Sequence, residues 1–217
     1  MFITFEGIDG CGKSTQIRLL AAYLEGKGND VVTLREPGGT DFSERIRDIL
    51  LKSHYHYSPT VELLLFEAAR AHLVESVVKP ALDEGKIVIS DRFYDSTTAY
   101  QGFGRRLDIN NVMVCNEIAA NGLEPDATFY LDIPVESAEI RAGKKKKDKI
   151  EISGDDFYNR VRNGFNWICQ KEPERFFHID ATGTVDETHN LIIQKLNEIN
   201  SSITKRKIKI YNNLSEG

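Results

Sequence analysis

The sequence predicts a three-layer α/β fold in which a five-stranded parallel sheet is flanked by helices. Short runs rich in Val, Ile, Phe and Leu alternate with longer segments of helical periodicity, as in repeated β-α-β units. The first short run also ends in a glycine-rich turn that leads directly into a helical segment. With 217 residues, 41% of them hydrophobic and 28% charged, the chain is long enough for one domain with a full core.

The strands are expected where the apolar runs are short and rich in β-branched or aromatic residues: Phe2–Glu6, Val31–Arg35, Lys86–Ser90, Ala127–Asp132 and Phe176–Ile179. The third run is the richest in β-branched residues, which is typical of a strand buried on both faces. Amphipathic periodicity predicts the helices at Lys13–Lys27, Phe42–Lys52, Thr60–Glu84, Ile109–Asn121, Val135–Ala142, Asp155–Glu172 and Val185–Asn200. The pair Ser58-Pro59 suits the start of the third helix, because proline is preset for a first helical turn.

The long third helix is apolar on more than one stripe, through Leu63, Leu64, Phe66, Ala69, Leu73 and Val77. Such a helix either lies centrally within a monomer or packs against a second subunit as well as the sheet. We expect a homodimer.

Charge and cysteine content restrict the partners and the compartment. A net charge of −5 argues against a broad nucleic-acid surface, so an anionic substrate needs a local basic site. No apolar stretch is long enough for a membrane span, and a strand that begins at Phe2 leaves no room for a signal peptide. Cys11, Cys115 and Cys169 have no metal-binding spacing, so we expect a reduced, cytoplasmic protein.

A phosphate-binding loop follows the first strand. The residues from Gly7 to Ser14 read G-I-D-G-C-G-K-S, which is the P-loop pattern between a buried strand and a helix. Backbone N–H groups of such a loop surround a polyphosphate, the lysine reaches the β- and γ-phosphates, and the serine hydroxyl binds Mg²⁺. We therefore expect a P-loop NTPase fold that binds a nucleoside triphosphate through Gly7, Ile8, Asp9, Gly10, Cys11, Gly12, Lys13, Ser14 and Thr15.

Cys11 has two interpretations. At a helix N-terminus its thiol pKa could be lowered, or it could simply be a small residue that fills a tight loop, and we favour the second.

Polar residues follow the next two strands along the chain. Ligands of open parallel sheets bind at the carboxyl ends of the strands, so these residues are candidates for the site. The second strand is followed by Arg35-Glu36 and a glycine-rich turn, and the third by Asp91-Arg92. Asp91 is placed to hold Mg²⁺ together with Ser14, and Arg92 to bind a phosphoryl oxygen; a purely structural Asp–Arg ion pair is the alternative.

A second anionic pocket is indicated further along the chain. The segment from Ser96 to Gln101 is dense in hydroxyls, with an aromatic ring at Tyr100 and an amide at its end. Phe66 and Arg70 are four residues apart on the long helix and share a face, so a ring and a guanidinium could together bind a base. Taken singly, Phe66 suits a core position and Arg70 a surface position.

Two lysine-rich runs interrupt the pattern, Lys144–Lys149 and Lys205–Lys209. Charge runs are usually solvated. We expect the first run, within a segment over about residues 142–152, to be an exception, the second to belong to a basic tail over residues 201–217, and the main domain to span residues 1–200.

The motifs F-E-G-I-D-G-C-G-K-S-T-Q, R-E-P-G-G-T, L-L-F-E-A-A-R, D-R-F-Y-D-S-T-T-A-Y-Q-G and Y-L-D-I together resemble those of bacterial thymidylate kinase, in order and spacing, from Met1 to about Asn200. The resemblance implies ATP-dependent phosphorylation of dTMP to dTDP in dTTP biosynthesis, by a nucleoside monophosphate kinase that uses Mg²⁺.

The resemblance also implies roles for individual residues. Asp9 would hold the acceptor's 3′-hydroxyl, and Phe66 would stack on thymine. Further acceptor contacts are implied or expected at Arg35, Glu36, Arg70, Arg92, Ser96, Thr97, Tyr100 and Gln101. Of these, Tyr100 resembles the ring under the sugar that disfavours a ribose 2′-hydroxyl. Arg141 and the segment after it, over about residues 142–152, resemble a short lid that closes over ATP, and the loop Asp180–Gly183 resembles the one near the adenine.

The sequence departs from the family at the residues that act on the transferred phosphoryl group. Position 10 is glycine, so the P-loop carries no arginine, and Lys149 stands where an arginine is common in the lid. We assign the catalytic roles to Lys13, Asp9, Arg92, Arg141 and Lys149. Either Arg141 or a lysine supplies the lid's charge, and a lysine lacks the bidentate fork of arginine.

Other functions remain open. A kinase for adenylate, guanylate or cytidylate is disfavoured by the hydroxyl-rich segment and Tyr100. A GTPase switch is disfavoured because the chain has no N-K-x-D motif. A binding protein without catalysis is disfavoured because the phosphate-contacting residues are intact.

Overall fold

The computed structural model of the protein describes residues 1–52, 55–142 and 154–199. In these residues five strands form one parallel sheet in the order β2-β3-β1-β4-β5. The strands are β1 (Phe2–Glu6), β2 (Val31–Arg35), β3 (Ile87–Asp91), β4 (Ala127–Asp132) and β5 (Phe176–Asp180). The predicted α/β class and all five predicted strands are confirmed, with β3 shifted by one residue.

Eight helices connect the strands in the described residues, and a ninth follows the last strand: α1 (Lys13–Glu25), α2 (Asp41–Lys52), α3 (Pro59–Leu73), α4 (Lys79–Asp83), α5 (Tyr94–Thr97), α6 (Ile109–Ala120), α7 (Val135–Ala142), α8 (Asp155–Lys171) and α9 over 185–199. The predicted start of α3 is confirmed, because the Ser58 side chain accepts a hydrogen bond from the Val61 N–H and Pro59 opens the helix. None of the helices in the described ranges is long and apolar enough to cross a membrane.

Two π-helical segments differ from the sequence prediction. The predicted continuous helix Thr60–Glu84 is divided between α3 and α4 by a π-helical turn at Val74–Val78. A second π-helical segment, Thr98–Gly104, directly continues α5, where the sequence predicted no helix. Hydroxyl-rich sequences favour turns locally, but here packing against α8 imposes helical structure. Of that segment, Thr98 to Gly102 are buried.

The centre of the sheet positions the site. All five residues of β1 are buried, and β1 pairs with β3 on one side and β4 on the other. Asp91, at the end of β3, is in register with Phe5 on β1 and with Arg35 on β2. The loops that leave these three strands therefore emerge at one edge, where ligands of such sheets bind.

The predicted lid at about 142–152 and the predicted tail at 201–217 lie almost wholly outside the described residues, and so does Lys149. The domain boundaries drawn from the sequence stay predictions.

Candidate active site

One cavity of about 890 Å³ lies at this edge of the sheet. The P-loop lines it, and so do residues from the loops after β2 and β3, from α3 and from the segment before α9. Most of the sequence-predicted site residues meet here: Ile8, Asp9, Gly10, Cys11, Gly12, Lys13, Ser14, Thr15, Arg35, Glu36, Phe66, Arg70, Asp91, Arg92, Ser96, Thr97, Tyr100, Gln101 and Arg141. The two pockets expected from the sequence are the two ends of this one space.

The P-loop glycines are required by close packing. Gly7 has φ 137°, and a Cβ there would lie 2.5 Å from the Leu131 carbonyl oxygen on β4. Gly10 has φ 85°, and its Cβ would lie 2.4 Å from the Ala138 carbonyl oxygen on α7. These backbone conformations strain any L side chain. An arginine at position 10 would therefore not fit this loop, because α7 occupies the space that its Cβ would need.

Lys13 is buried inside the loop. Its Nζ donates hydrogen bonds to the carbonyl oxygens of Gly7 (3.0 Å) and Ile8 (3.2 Å). The amine therefore lies within the curve of the P-loop, where a polyphosphate would be bound. Burial raises the pKa of the neighbouring Cys11 thiol, against the opposing charge of Lys13. Cys11 is thus a small buried residue, as favoured from the sequence, and not a low-pKa thiol.

Ser14 and Asp91 lie side by side at the cavity wall. The Ser14 hydroxyl donates to Asp91 Oδ2 over 3.1 Å, although the residues are 77 apart in sequence. A hydroxyl and a carboxylate next to a phosphate site suit Mg²⁺, which binds through one or two protein oxygens with substrate phosphates and water. The described residues hold no group of three or more His, Cys, Asp or Glu that could bind a metal by itself.

Arg92 is the central cation of the cavity. Its guanidinium donates to the Gly7 carbonyl oxygen (2.9 Å), Asp9 Oδ1 (2.8 Å), Ser96 Oγ (3.1 Å) and the Tyr100 hydroxyl (3.2 Å). The sequence left open a structural ion pair between Asp91 and Arg92. In the structure Arg92 pairs with Asp9 instead. Burial alone would raise the pKa of Asp9, but the charges of Arg92 and Lys13 lower it overall. Asp9 is therefore an anion, suited to positioning a hydroxyl and poorly suited to accepting a proton.

Glu6, which sequence analysis did not single out, stabilises the turn that follows Arg92. The Arg92 backbone has φ 75°, an unfavourable value for a residue with a side chain. The buried Glu6 carboxyl accepts hydrogen bonds from the next turn, from the N–H groups of Phe93 (2.8 Å) and Ser96 (3.2 Å) and from the Ser96 hydroxyl (2.5 Å). Burial raises the pKa of Glu6 to about 8, against the opposing charge of Arg92. This carboxyl fixes the turn that holds Arg92 in its strained conformation.

Arg70 is buried, whereas its residue type alone would suggest a position on the surface. Its guanidinium donates to Glu36 Oε2 (2.8 Å), Glu67 Oε1 (2.6 Å), Thr97 Oγ1 (3.0 Å) and, at 3.5 Å, to Asn116 Oδ1. A guanidinium has five N–H donors, so these bonds leave one for a ligand. Burial raises the pKa of Glu36 to about 7, although Arg70 opposes that shift. Glu36 thus acts on the cavity by holding Arg70.

Phe66 and Tyr100 supply the aromatic surfaces. Phe66 is half-buried, packs against two hydrophobic clusters and also lines the cavity. It therefore combines the core and the ligand-facing interpretations of the sequence. Tyr100 is almost fully buried, its ring packs edge-on against Phe157, Tyr158 and Phe165, and Arg92 lies 5.0 Å from the ring centre.

Two residues that were predicted to bind the phosphoryl acceptor donate hydrogen bonds to carboxylates. The exposed Arg35 guanidinium donates to both carboxylate oxygens of Glu44 at 3.0 Å, at the rim of the cavity. The Gln101 amide, only 1% exposed, donates through Nε2 to Glu62 Oε1 over 2.9 Å.

The other end of the cavity is formed by residues near α9. The Arg141 guanidinium donates to the carbonyl oxygens of Ala181 (2.8 Å) and Thr182 (3.0 Å), in the loop that the resemblance places near adenine. Gln16 on α1 ties the same region to the P-loop helix, because its Nε2 donates to the Val185 carbonyl oxygen over 2.8 Å.

Sequence reasoning missed several residues of the cavity, of which Arg47 and Tyr158 are the clearest. Arg47 lies on the amphipathic helix α2, and its guanidinium donates to the Pro37 carbonyl oxygen over 2.8 Å. No motif includes either residue, and only the packing of α2 and α8 brings them to the cavity.

Comparisons with known proteins agree on one family. The family model for thymidylate kinase matches residues 5–192. A thymidylate kinase of Chlorobium luteolum is 54% identical over 208 residues, which are 91% of this chain and 97% of that protein. One from Thermoanaerobacter sp. (strain X514) is 48% identical over 88% of this chain and 95% of its own length. The crystal structure of thymidylate kinase from Ehrlichia chaffeensis is 40% identical, with a TM-score of 0.75 over 91% of this chain and 98% of that one.

Proposed function

The chain belongs to the thymidylate kinase family, nucleoside monophosphate kinases that phosphorylate dTMP to dTDP with ATP, and we propose that the cavity described above is where this chain does so. The observation that carries the proposal is the continuity of the cavity. The P-loop, the Asp9–Arg92 pair, Phe66 and Arg70 all line it, and Arg92 connects the P-loop to the segment after β3 through hydrogen bonds to the Gly7 carbonyl oxygen and Ser96 Oγ. A single space lined by both sets of residues suits in-line transfer from a triphosphate to a monophosphate.

On the donor side, the P-loop N–H groups and Lys13 would bind the β- and γ-phosphates. An oxygen of the dTMP phosphate attacks the γ-phosphorus, the bond to the β–γ bridging oxygen breaks, and ADP leaves. The attacking oxygen is already anionic, so the reaction needs charge stabilisation and positioning more than a base. This agrees with the lowered pKa of Asp9.

Ser14 and Asp91 would hold Mg²⁺, which when bound neutralises charge on the ATP phosphates. Their separation of 3.1 Å supports this assignment.

On the acceptor side, Arg92 would bind the dTMP phosphate, with Arg35 as a further cation at the rim. Asp9 would accept a hydrogen bond from the sugar 3′-hydroxyl. Phe66 would stack on thymine, and the remaining N–H of Arg70 would donate to a thymine carbonyl.

The cation that the lid brings to the transferred phosphoryl group stays a prediction from the sequence, with Arg141 and Lys149 as the candidates. An arginine in such a position contributes about 10³–10⁵ in rate.

A coupled ADP-release assay tests the function directly. The enzyme is given ATP and Mg²⁺ with dTMP, dUMP, AMP, GMP or CMP, and in one sample without acceptor. We expect strong release with dTMP and weak release with dUMP, since a methyl group contributes only about 1–3 kcal/mol to discrimination. Equal release without any acceptor would mean an ATPase, and strong release with AMP, GMP or CMP a different monophosphate kinase.

We further propose that the chain forms a homodimer through the outer faces of α3 and α6, which pack against each other. Large apolar side chains are exposed on both helices: Val61, Leu64, Met113, Val114 and Ile118. Ile118 is 73% exposed, and exposed apolar groups on adjacent helices favour a self-complementary contact.

Light scattering after size-exclusion chromatography tests the dimer. Ile118→Glu should yield a monomer with intact secondary structure. Ile140→Glu is the matched control, because Ile140 on α7 is 82% exposed and lies outside this surface. A dimer that survives Ile118→Glu combined with Leu64→Glu would exclude this interface.

We place the enzyme in the cytoplasm. The support is that all three cysteines are free thiols, as in a reducing compartment.

A further inference from the structure

We propose that Glu62, held by Arg105, is a positioning residue that fixes the orientation of the Gln101 amide, so that the Gln101 carbonyl oxygen faces the acceptor base and selects a base with an imide N–H. The inference rests on the proposed function, since it assigns the base that the acceptor end of the cavity admits. It adds a specificity role to a residue outside the cavity lining.

The hydrogen bonds of Glu62 are asymmetric. Glu62 Oε1 accepts from Gln101 Nε2 (2.9 Å) and from Arg105 Nε (3.1 Å), and Glu62 Oε2 accepts from Arg105 Nη2 (3.2 Å). The Glu62 side chain is 13% exposed, and it lies in the first turn of α3, where the helix dipole favours a negative charge. Arg105 is itself packed over the Phe157 ring, 4.6 Å from its centre.

An ion-paired carboxylate can only accept hydrogen bonds. The group that Gln101 turns toward Glu62 must therefore be its NH₂, and its carbonyl oxygen must point the other way. In the part of the chain that the structure describes, no protein donor bonds to that oxygen. Gln101 lines the cavity, so the oxygen is available to a molecule bound there.

Three residues four apart on α3 form the wall that a base would meet. Glu62 bonds to Gln101, Arg70 bonds to Thr97, and Phe66 lies between them on the same helix face. A base stacked on Phe66 would present its edge to a guanidinium donor at one end and to the Gln101 oxygen at the other.

This order of donor and acceptor matches only some bases. Thymine and uracil offer a carbonyl oxygen next to an imide N–H, which complements a donor followed by an acceptor. Cytosine offers an amino group next to an unprotonated ring nitrogen, which sets donor against donor and acceptor against acceptor. Since a buried polar group left without a partner is unfavourable, the fixed amide should contribute to the rejection of dCMP.

The test is the ratio of kcat/KM for dTMP to that for dCMP in Glu62 variants. In Glu62→Met, Gln101 loses its acceptor and lies next to the Arg105 donor, so its carbonyl oxygen should turn toward Arg105 and its NH₂ toward the base. We expect the ratio to fall by roughly tenfold or more. Glu62→Gln, the conservative variant, offers one oxygen and one NH₂ to the same neighbours, so the ratio should fall by a smaller factor.

The dTMP-to-dUMP ratio is an internal control, because both bases carry the imide N–H, and it should stay unchanged in both variants. Glu75→Gln is the control for the loss of a carboxylate, at an exposed position of the π-helical turn after α3. Equal losses with dTMP and dCMP in Glu62→Gln and in any folded Glu62→Met would overturn the proposal, since Glu62 would then be only structural. A wild-type enzyme that does not prefer dTMP to dCMP would instead contradict the proposed function.

Discussion

The charged side chains of this enzyme's cavity form ion pairs between arginines and carboxylates. Arg92 lies against Asp9, and Arg70 lies between Glu36 and Glu67. Buried cations are stable only with such partners, and the same partners fix the direction in which the remaining N–H groups point. The cavity is therefore organised before a substrate binds.

Lys13→Ala tests the donor end of the cavity. We expect kcat to fall by roughly 10²–10³-fold or more, because the amine enclosed by the P-loop would no longer compensate phosphate charge. Arg18→Ala, at an exposed position of the same helix, is the matched control. Turnover near the wild-type value, in a protein with unchanged circular dichroism, would contradict the assignment.

Phe66→Ala tests the acceptor end. Stacking of a base on an aromatic ring contributes about 1–3 kcal/mol, so the KM for dTMP should rise roughly tenfold or more. The KM for ATP should change little. Leu65→Ala removes a half-buried neighbour that packs on the same cluster outside the cavity, and it serves as the control. A parallel rise of both KM values would assign Phe66 to the core alone.

Among the elements, the contact between α8 and the π-helical segment Thr98–Gly104 is the most extensive in the described residues. It depends on close approach of two backbones. A Cβ at Gly164 on α8 would lie 2.9 Å from Ala99 Cα and 3.0 Å from the Phe103 ring. The segment that carries Tyr100 and Gln101 is thus held in place by a glycine on another helix.

Gly164→Ala should push α8 away from this segment. Overpacking of this kind costs about 1–3 kcal/mol in the free energy of unfolding, measurable by urea denaturation. Because Tyr100 and Gln101 would shift with the segment, the KM for dTMP should rise as well. Asn163→Ala, at the exposed neighbouring position, should change neither quantity. Wild-type stability of Gly164→Ala would show that α8 can move without cost.

At the scale of the whole molecule, two histidines connect distant elements. Their contributions to the free energy of unfolding depend on pH in opposite directions. His178 on β5 bonds to Asp132 on β4 over 3.0 Å, and Asp132 also binds Arg162 on α8. That hydrogen bond raises the pKa of His178 above 6.5. On α9, burial lowers the pKa of His189, whose ring lies 3.2 Å from Gln16 Oε1 on α1.

The stability that His178 contributes is full below pH 6.5 and is lost as the pH rises through its raised pKa. His178→Asn should therefore lower the free energy of unfolding more in acid than in alkali. His189 has the opposite sign: its contribution is present above pH 6.5 and is lost as the pH falls. Urea denaturation of wild type, His178→Asn and His189→Asn on both sides of pH 6.5 measures both. Identical pH slopes in all three proteins would exclude both couplings.

The sequence by itself determined the strand order along the chain, the P-loop and the side chains that leave β2 and β3. These features are local, since hydrophobic period, glycine spacing and strand exits are visible within a few residues. The resemblance added the reaction and the acceptor. Only the tertiary structure decided the partners: Arg92 with Asp9 rather than Asp91, Arg70 buried between two carboxylates, and Gln101 hydrogen-bonded to Glu62. It also decided that the hydroxyl-rich segment after β3 is helical. Such contacts join residues from different elements. The periodicity of one segment carries no information about which other segment lies next to it, because only the packed core brings the two together.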